Sequence, residues 1–226
     1  MKSTVITLDG PAGSGKSSVA KELARRLGML HADSGGIYRT FTLALMRRLG
    51  PCPSHEAFGE ALSQSSISPE SLEVSILTDG THQYNLIRGQ DQADEIRSPD
   101  VTSRIRYVAD RPVFREAVNA LLRGMTNVVA DGRDMGSVVF PNASYKYYLE
   151  ASVDIRAARR AAENEARGWK EDLGEIKESI RKRDEEDEKR EYGALIRTPD
   201  MILIDTGPLN LEGVIGRILN SLQIKF

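Results

Sequence analysis

Apolar residues open the chain in a short continuous run and then recur at helical spacing. The run VITL (5–8) is followed by Val19, Leu23 and Leu27, which stand four residues apart and end at Gly28. A short apolar run is typical of a buried strand, and a spacing of four that ends in glycine is typical of an amphipathic helix. The start of the chain therefore predicts a strand, a connecting loop and a helix.

The same alternation continues along the chain. It predicts further strands at residues 29–32, 127–131, 145–151 and 201–206, and further helices at 37–49, 101–109, 112–123, 154–167, 171–190 and 211–222. Strands that alternate with helices favour an α/β fold with a parallel sheet. One segment departs from this order, because two alternating runs flank Asp79–Gly80 and predict a β-hairpin. We expect residues 70–97 to form an insertion.

The loop between the first strand and the first helix has the composition of a phosphate-binding loop. Gly10, Gly15, Lys16 and Ser17 fit the pattern G-x-x-x-x-G-K-[ST]. Glycines let successive backbone N–H groups curl around phosphate oxygens, and the helix N-terminus adds partial positive charge. Lys16 is then expected to reach the β- and γ-phosphates and Ser17 to bind magnesium. The alternative is a glycine-rich turn with an exposed lysine, which the flanking strand and helix make less favourable.

Two further polar segments follow predicted strands. DSGGIYR (33–39) offers Ser34 and Arg39 for a second anion at the start of a helix, or else is a helix cap with a surface arginine. ADGRDMG (130–136) carries an aspartate of the kind that supports a magnesium shell, followed by Arg133 and Asp134. Open α/β sheets bind ligands at the carboxyl ends of their strands, whereas the alternative for this segment is a polar turn.

Two groups of charged residues have helical spacing. Arg183, Asp187 and Arg190 are predicted to share one helix face, and Arg156, Arg159 and Arg160 form a similar cluster. A solvated helix with surface salt bridges is the common interpretation of such runs. Phosphoryl transfer between two nucleotides needs arginines from outside the phosphate-binding loop, and this need favours a functional role.

Composition limits the class of protein. The chain has 226 residues, a net charge of −2, one cysteine and three dispersed histidines. This length fits one domain, with or without a small insertion, and the charge does not favour a nucleic-acid partner. A single cysteine fits a reducing compartment, and no apolar run approaches the roughly 20 residues that span a bilayer. We expect a soluble cytoplasmic monomer with no membrane partner.

Taken together, the motifs resemble the bacterial cytidylate kinases over nearly the whole chain. The resemblance is carried by DGPAGSGKSS, DSGGIYR, LIRGQDQADEIR, RPVFREAV, DGRDMGSVVFPNA, RAARR and KRDEEDEKR. It implies a P-loop kinase fold with a central parallel sheet flanked by helices, a small inserted β-containing domain for the nucleoside monophosphate, and a helical lid. It places the core at residues 1–35, 115–155 and 192–226, the insertion at 36–114 and the lid at 156–191.

The resemblance also implies the reaction and its residues. ATP, with Mg²⁺ bound through Ser17, is expected to phosphorylate CMP and dCMP. The implied ATP-binding residues are Gly10, Pro11, Ala12, Gly13, Ser14, Gly15, Lys16, Ser17 and Ser18. The implied CMP-binding residues are Ser34, Tyr38, Arg39, Arg115, Arg133, Asp134, Arg183, Asp187 and Arg190. The implied catalytic residues are Lys16, Arg133, Arg159, Arg160 and Arg190.

Within that set the expected roles differ. Ser34, Arg39, Arg133 and Arg190 are expected to hold the CMP phosphate, Arg115 and Asp134 to contact cytosine, Arg183 and Asp187 to contact the sugar, and Arg159 or Arg160 to close over the ATP phosphates.

The chain departs from the family pattern at two places, and rival functions exist. Arg106 stands where the family has a small hydroxyl residue near the base, unless the alignment register shifts there, and Ala194–Leu195 replaces a Pro-Leu pair. A kinase for UMP or shikimate is the nearest rival. A GTP-binding switch and a nucleic-acid-binding ATPase are rivals of other classes, but the sequence has no Asn-Lys-x-Asp guanine motif and no basic stripe.

Overall fold

The computed structural model describes residues 3–166, 168–169 and 171–222. The chain divides into two compact units, the first formed by Met1–Met29 with Asn127–Phe226 and the second by Leu30–Thr126. The strands are β1 Val5–Asp9, β2 Leu30–Asp33, β3 Val74–Thr78, β4 Gln83–Ile87, β5 Gln90–Asp91, β6 Val128–Gly132, β7 Tyr145–Glu150 and β8 Ile202–Asp205. The helices are α1 Lys16–Leu27, α2 Ser34–Leu49, α3 His55–Gln64, α4 Pro99–Ala109, α5 Pro112–Arg123, α6 Val153–Ala166, α7 Leu173–Lys189 and α8 Leu211–Ser221.

The first unit is built on a parallel sheet, as the alternation of strands and helices predicts. Its strands lie in the order β6, β1, β7, β8. In this register Leu8 stands beside Asp131, and Asp9 stands between Gly132 and Tyr148. The polar residues that follow β1 and β6 therefore emerge at the same edge of the sheet.

An apolar core holds this sheet to α1 and α8. Ile6 and Leu8 of β1 are buried against Leu23 of α1 and against Ile215 and Ile218 of α8. Burying side chains of this size contributes roughly 1.5–3 kcal/mol each. The core fixes the start of α1, and with it the loop between β1 and α1.

The second unit combines helices α2–α5 with an antiparallel sheet. Strands β3, β4 and β5 are neighbours in chain order, and β3 pairs with β4 across the predicted turn at Asp79–Gly80. The predicted hairpin is confirmed. The predicted insertion region, residues 36–114, lies inside this unit. Helix α3 was not predicted: Ser54 caps it by accepting a hydrogen bond from the Ala57 N–H at 3.2 Å, and it buries Phe58 and Leu62.

Several helix boundaries differ from the predicted ones. Helix α2 begins at Ser34 rather than at residue 37, because the Asp33 carboxylate accepts a hydrogen bond from the Gly36 N–H at 2.9 Å. Helix α7 ends at Lys189, so Arg190 follows the helix with an extended ψ of 131° instead of sharing a helix face with Arg183. Of the predicted helix 154–167, Arg167 lies outside the described residues. No described helix is long and apolar enough to cross a membrane.

Candidate nucleotide site

The loop between β1 and α1 has the backbone of a phosphate-binding loop. Gly10, Gly13 and Gly15 have φ values of 151°, 76° and 87°, in the region that favours glycine. A Cβ at Gly10 would lie 2.1 Å from the carbonyl oxygen of Leu149, so no side chain fits there. The sequence pattern therefore corresponds to a loop whose shape depends on its glycines.

Lys16 begins α1 and is almost entirely buried, with 6% of its surface exposed. Its Nζ donates a hydrogen bond to the Pro11 carbonyl oxygen at 3.0 Å. Burial first, and then the positive charge of Arg133, lower the pKa of Lys16 well below its ordinary value, while Asp131 opposes that shift. Negative charge supplied by a ligand would compensate the buried ammonium, which makes this a suitable position for an anion such as a triphosphate.

The next residue offers oxygen ligands for a divalent cation. The Ser17 hydroxyl donates a hydrogen bond to the Asp131 carboxylate at 2.5 Å, and Asp131 is buried at the end of β6. A hydroxyl and a carboxylate oxygen are donors that Mg²⁺ accepts, with substrate phosphates and water completing the shell. No group of three or more His, Cys, Asp or Glu side chains among the described residues forms a separate metal cluster. The residues present fit magnesium that is bound together with nucleotide phosphates.

A second group, the Asp187 cluster, consists of the buried Asp187 and the half-buried Arg133 and Arg190. Arg133 Nε donates to Asp187 Oδ2 at 2.6 Å, and Arg190 Nη2 donates to Asp187 Oδ1 at 2.9 Å. Burial raises the pKa of Asp187, but the charges of Arg133 and Arg190 outweigh burial and leave that pKa below its ordinary value. Two guanidinium groups share one carboxylate, so the cluster keeps net positive charge and is suited to an anion. The structure thus brings Arg190 to Asp187 although Arg190 lies beyond the end of α7.

Helix α6 brings two of its three predicted arginines to the phosphate-binding loop. Arg159 donates from Nη2 to the Thr206 carbonyl oxygen at 2.6 Å and from Nη1 to the Thr206 hydroxyl at 3.1 Å, and a Cβ at Gly15 would lie 3.8 Å from its Nη1. Arg156 is buried and donates to the Ala12 carbonyl oxygen at 3.1 Å. Arg160 is exposed. Arg159 is therefore the better placed of the two candidates for contact with ATP.

Of the other predicted residues, Asp134, which is buried, and Arg183, which is half-buried, belong to the first unit, whereas Ser34, Tyr38, Arg39 and Arg115 belong to the second. Arg115 has 2% of its surface exposed, donates to the Ala109 carbonyl oxygen at 3.0 Å and stands 5.6 Å from the centre of the Tyr38 ring. Ser34 is buried at the start of α2, and Arg39 is half-buried one turn later. The Asp33 cap already binds the Gly36 N–H, so the start of α2 is a capped helix in addition to any role with an anion.

Arg106, which departs from the family pattern, contacts the side chain of its neighbour Tyr107. Its Nη2 donates to the Tyr107 hydroxyl at 2.7 Å, and its guanidinium lies 4.7 Å from the centre of the Tyr107 ring. The side chain thus has a local partner on α4. Nothing in the structure assigns it to a base.

Asp9 and Thr206 are buried polar residues of the first unit that were not predicted. Asp9 accepts hydrogen bonds from two backbone N–H groups, and the Thr206 hydroxyl donates to the Ser14 carbonyl oxygen at 2.9 Å. Arg156, a member of the predicted arginine cluster, pairs with Asp184 at 2.7 Å. An acidic residue at the end of an otherwise apolar strand was the available signal for Asp9. For Thr206 the sequence offers no comparable signal.

The fold and this site define the first unit as a P-loop nucleotide-binding domain of α/β type. The family model described as cytidylate kinase matches residues 6–224. The chain belongs to the cytidylate kinase family, which confirms the prediction of a nucleoside monophosphate kinase.

Curated relatives that match almost the whole length of this chain have the same name as the family. A protein named cytidylate kinase from Geobacillus sp. (strain WCH70) is 40% identical over 95% of this chain and 94% of its own. The relatives of the same name from Geobacillus kaustophilus (strain HTA426) and Rhodococcus opacus (strain B4) are 41% and 37% identical, over 95% and 96% of this chain and 94% and 93% of their own.

Proposed function

We propose that this protein transfers the γ-phosphoryl group of ATP to CMP and dCMP and releases ADP with CDP or dCDP. The reaction with CMP follows from the family. The observation that carries the phosphoryl-transfer chemistry is the presence of two cationic groups in one unit, the buried Lys16 of the phosphate-binding loop and the half-buried arginines of the Asp187 cluster. Arg133 of that cluster is close enough to lower the pKa of Lys16. Bound phosphates would relieve this repulsion between cations.

The donor side of the proposal uses residues 10–18. Their backbone N–H groups cradle the ATP phosphates, and Lys16 neutralises charge on the β- and γ-phosphates in the transition state. Ser17, with Asp131 beside it, would hold Mg²⁺, which when bound neutralises phosphate oxygens and orients them. Arg159, and Arg160 with it, are proposed to contact the ATP phosphates from a lid formed by residues 156–191.

The acceptor side uses the residues that the family resemblance implies for CMP. Arg133 and Arg190 are proposed to bind the CMP phosphate, since guanidinium groups match phosphate with two parallel hydrogen bonds. Ser34, Tyr38 and Arg39 are proposed to bind the same nucleotide. Arg115 and Asp134 are proposed to contact the base, and Arg183 and Asp187 the sugar. Asp187 also orients the two arginines that bind it.

The chemical step requires alignment rather than a general base. An oxygen of the CMP phosphate attacks the γ-phosphorus of ATP, a new P–O bond forms, and the bond to the β,γ-bridging oxygen breaks as ADP leaves. The acceptor oxygen is already an anion at neutral pH, so no residue need remove a proton from it. Exclusion of water by the lid would prevent transfer of the phosphoryl group to water.

Base selection is assigned to Asp134 because of its chemistry. An ionised carboxylate only accepts hydrogen bonds, and cytosine presents an amino donor where uracil presents a carbonyl acceptor. A buried site built for one of these patterns rejects the other, because the wrong base leaves a polar group unpaired. Asp134 is buried directly after β6. A carboxylate there is suited to cytosine.

The decisive experiment measures ADP release with ATP against CMP, dCMP, UMP and AMP, with and without Mg²⁺. We expect kcat/KM to be highest for CMP and dCMP, and activity to require the metal. Turnover that is fastest with UMP or AMP would contradict the proposal, as would GTP hydrolysis without any acceptor. A monomeric state, a cytoplasmic location and independence from nucleic acid and membranes remain part of the proposal, and the first is tested by light scattering.

A further inference from the structure

Asp9 is a buried acid to which the proposed reaction gives no part. It is the last residue of β1, stands directly before Gly10, and has 0% of its surface exposed. Burying a carboxylate without hydrogen bonds would be strongly unfavourable. Its partners therefore indicate what it does.

Those partners are two consecutive backbone amides far along the chain. Met135 N–H donates to Asp9 Oδ1 at 2.8 Å, and Gly136 N–H donates to Asp9 Oδ2 at 2.7 Å. Both amides belong to a short π-helical turn, Met135–Val139, which follows Asp134. The first N–H groups of a helical turn have no partner inside it and need an acceptor from elsewhere. Asp9 supplies that acceptor across neighbouring strands β1 and β6.

The turn Met135–Val139 is also fixed by hydrogen bonds to Asp134 and by close packing at Gly136. Val138 N–H and Val139 N–H both donate to the Asp134 carbonyl oxygen, at 2.9 and 3.1 Å. A Cβ at Gly136 would lie 2.7 Å from the Thr7 hydroxyl oxygen and 3.2 Å from Asp9 Oδ2. The backbone of Asp134 is therefore bonded on one side to its own turn, and the residues that follow it are bonded to Asp9.

We propose that Asp9 is a positioning residue that fixes the direction of Asp134 by capping the turn that Asp134 begins. A base-selecting carboxylate must keep one orientation, since a shift of about 1 Å weakens a hydrogen bond to the base. This inference rests on the proposed role of Asp134 in selecting cytosine. It adds a residue that sets specificity without touching the nucleotide.

Asp9→Asn tests the inference with almost no change of shape. The amide nitrogen of asparagine cannot accept a hydrogen bond, so one of the two N–H groups loses its partner. Asp79→Asn is the control for the change of charge, because a single oxygen of Asp79, Oδ1, accepts from the N–H groups of Thr81 at 3.0 Å and His82 at 2.8 Å in the hairpin turn, and the asparagine Oδ1 can accept both hydrogen bonds.

Two readouts separate positioning from a general loss of structure. Hydrogen exchange at the Met135 and Gly136 amides is expected to become at least about tenfold faster in Asp9→Asn, as loss of a buried hydrogen bond predicts. The ratio of kcat/KM for CMP to that for UMP is expected to fall toward its value in Asp134→Ala, while ATP affinity without CMP stays within about twofold. Asp79→Asn is expected to change none of these quantities.

Different failures have different meanings. If Asp134→Ala lowers the ratio and Asp9→Asn does not, the inference is wrong and the role of Asp134 stands. If Asp134→Ala leaves the ratio unchanged, the base-selecting role itself is wrong and the inference falls with it. Equal losses of ATP and CMP affinity in Asp9→Asn would make Asp9 a support of the phosphate-binding loop, which also overturns the inference.

A second variant covers the case in which Asp9→Asn does not fold. Gly136→Ala leaves Asp9 intact but places a methyl group against the Thr7 hydroxyl oxygen, and so displaces the same turn. We expect it to lower the CMP-to-UMP ratio in the same direction. A wild-type ratio in Gly136→Ala, with faster exchange at Met135, would show that the turn does not control specificity.

Discussion

The phosphate-binding loop and the Asp187 cluster both offer groups suited to anions, but they do so by different means. The loop uses backbone: three glycines with positive φ and the start of α1. The cluster uses side chains that lie far apart in sequence, with Arg133 after β6 and Asp187 near the end of α7. The loop's anion site is thus encoded within a few consecutive residues, whereas the cluster exists only after the chain has folded.

The difference has an electrostatic consequence. In the loop, a single buried lysine has its pKa lowered, chiefly by burial and then by Arg133. In the cluster, a carboxylate holds two arginines and its own pKa is lowered by them despite burial. A loop of this kind suits any nucleoside triphosphate, because it binds phosphates alone. The cluster can be specific to the acceptor, because its position depends on this fold.

The largest expected effect comes from removing the lysine side chain of the phosphate-binding loop. Lys16→Ala should lower kcat about a thousandfold or more with every acceptor, since the lost electrostatic stabilisation is about 4 kcal/mol. Steady-state kinetics with CMP and dCMP, together with circular dichroism to confirm folding, provide the measurement. Near-normal kcat in the folded variant would contradict the role of Lys16.

The second effect compares two buried carboxylates by their pH dependence. Burial raises the pKa of Asp9 from 3.8 to about 6. The folded state therefore keeps a proton that the unfolded state has lost, and this contribution to stability is present below about pH 4 and lost as pH rises through about 6. Relative to Asp9→Asn, the free energy of unfolding of the wild type should fall by about 2 kcal/mol between pH 4 and pH 7.

Asp187 should show the opposite slope. Its pKa lies below the ordinary 3.8, so its contribution is present at neutral pH and lost as the pH falls through and below that value. Urea unfolding of the wild type, Asp9→Asn and Asp187→Asn between pH 3 and pH 7 measures both slopes. Equal slopes for the two variants would refute the contrast between these carboxylates.

The third effect comes from removing one arginine side chain at a time from the Asp187 cluster. Arg133→Ala and Arg190→Ala should each raise KM for CMP about 10- to 100-fold, because a charge-assisted bond to phosphate is lost. ATP affinity measured without CMP should stay within about twofold, in contrast with Lys16→Ala, which affects turnover with every acceptor. Arg39→Ala, a variant in the second unit, is compared with them, and it should also weaken the use of CMP. Wild-type kinetics for Arg190→Ala would reduce the cluster to a structural salt bridge.

The smallest expected effect concerns the choice between cytosine and uracil. Asp134→Ala should lower kcat/KM for CMP at least about tenfold, or about 1.4 kcal/mol, and should affect UMP much less. If Asp134 only shapes its loop, both substrates should lose activity by similar factors. The CMP-to-UMP ratio in wild type and variant decides between these outcomes.

Most regular elements could be predicted because they have local patterns. The strands near Val5 and Val128 are continuous apolar runs, and the turn at Asp79–Gly80 is a local hairpin signal. Helix α3 was missed because Phe58 and Leu62 alone mark its buried face, too short a pattern to stand out. The true end of α7 was missed because a run of mixed charge has no apolar boundary.

The site residues also divide into those that could be predicted from local sequence and those that could not. Gly10, Gly15, Lys16 and Ser17 lie within eight consecutive residues, so their chemistry could be predicted from spacing. Asp9 could not be assigned a role, because its partners Met135 and Gly136 are backbone amides that become neighbours only through strand pairing. A backbone N–H has no sequence signature of its own.

The sequence by itself determined the α/β class, the phosphate-binding loop and the family, because each depends on residues close together in the chain or on motifs in a fixed order. Only the tertiary structure decided that Arg133 and Arg190 share the Asp187 carboxylate, that Arg159 rather than Arg160 lies at the loop, and that Asp9 caps the turn after Asp134. The physical reason is distance. Hydrogen bonds and ion pairs act within a few ångströms, and residues 47 to 127 positions apart come that close only when sheet pairing and core packing bring them together.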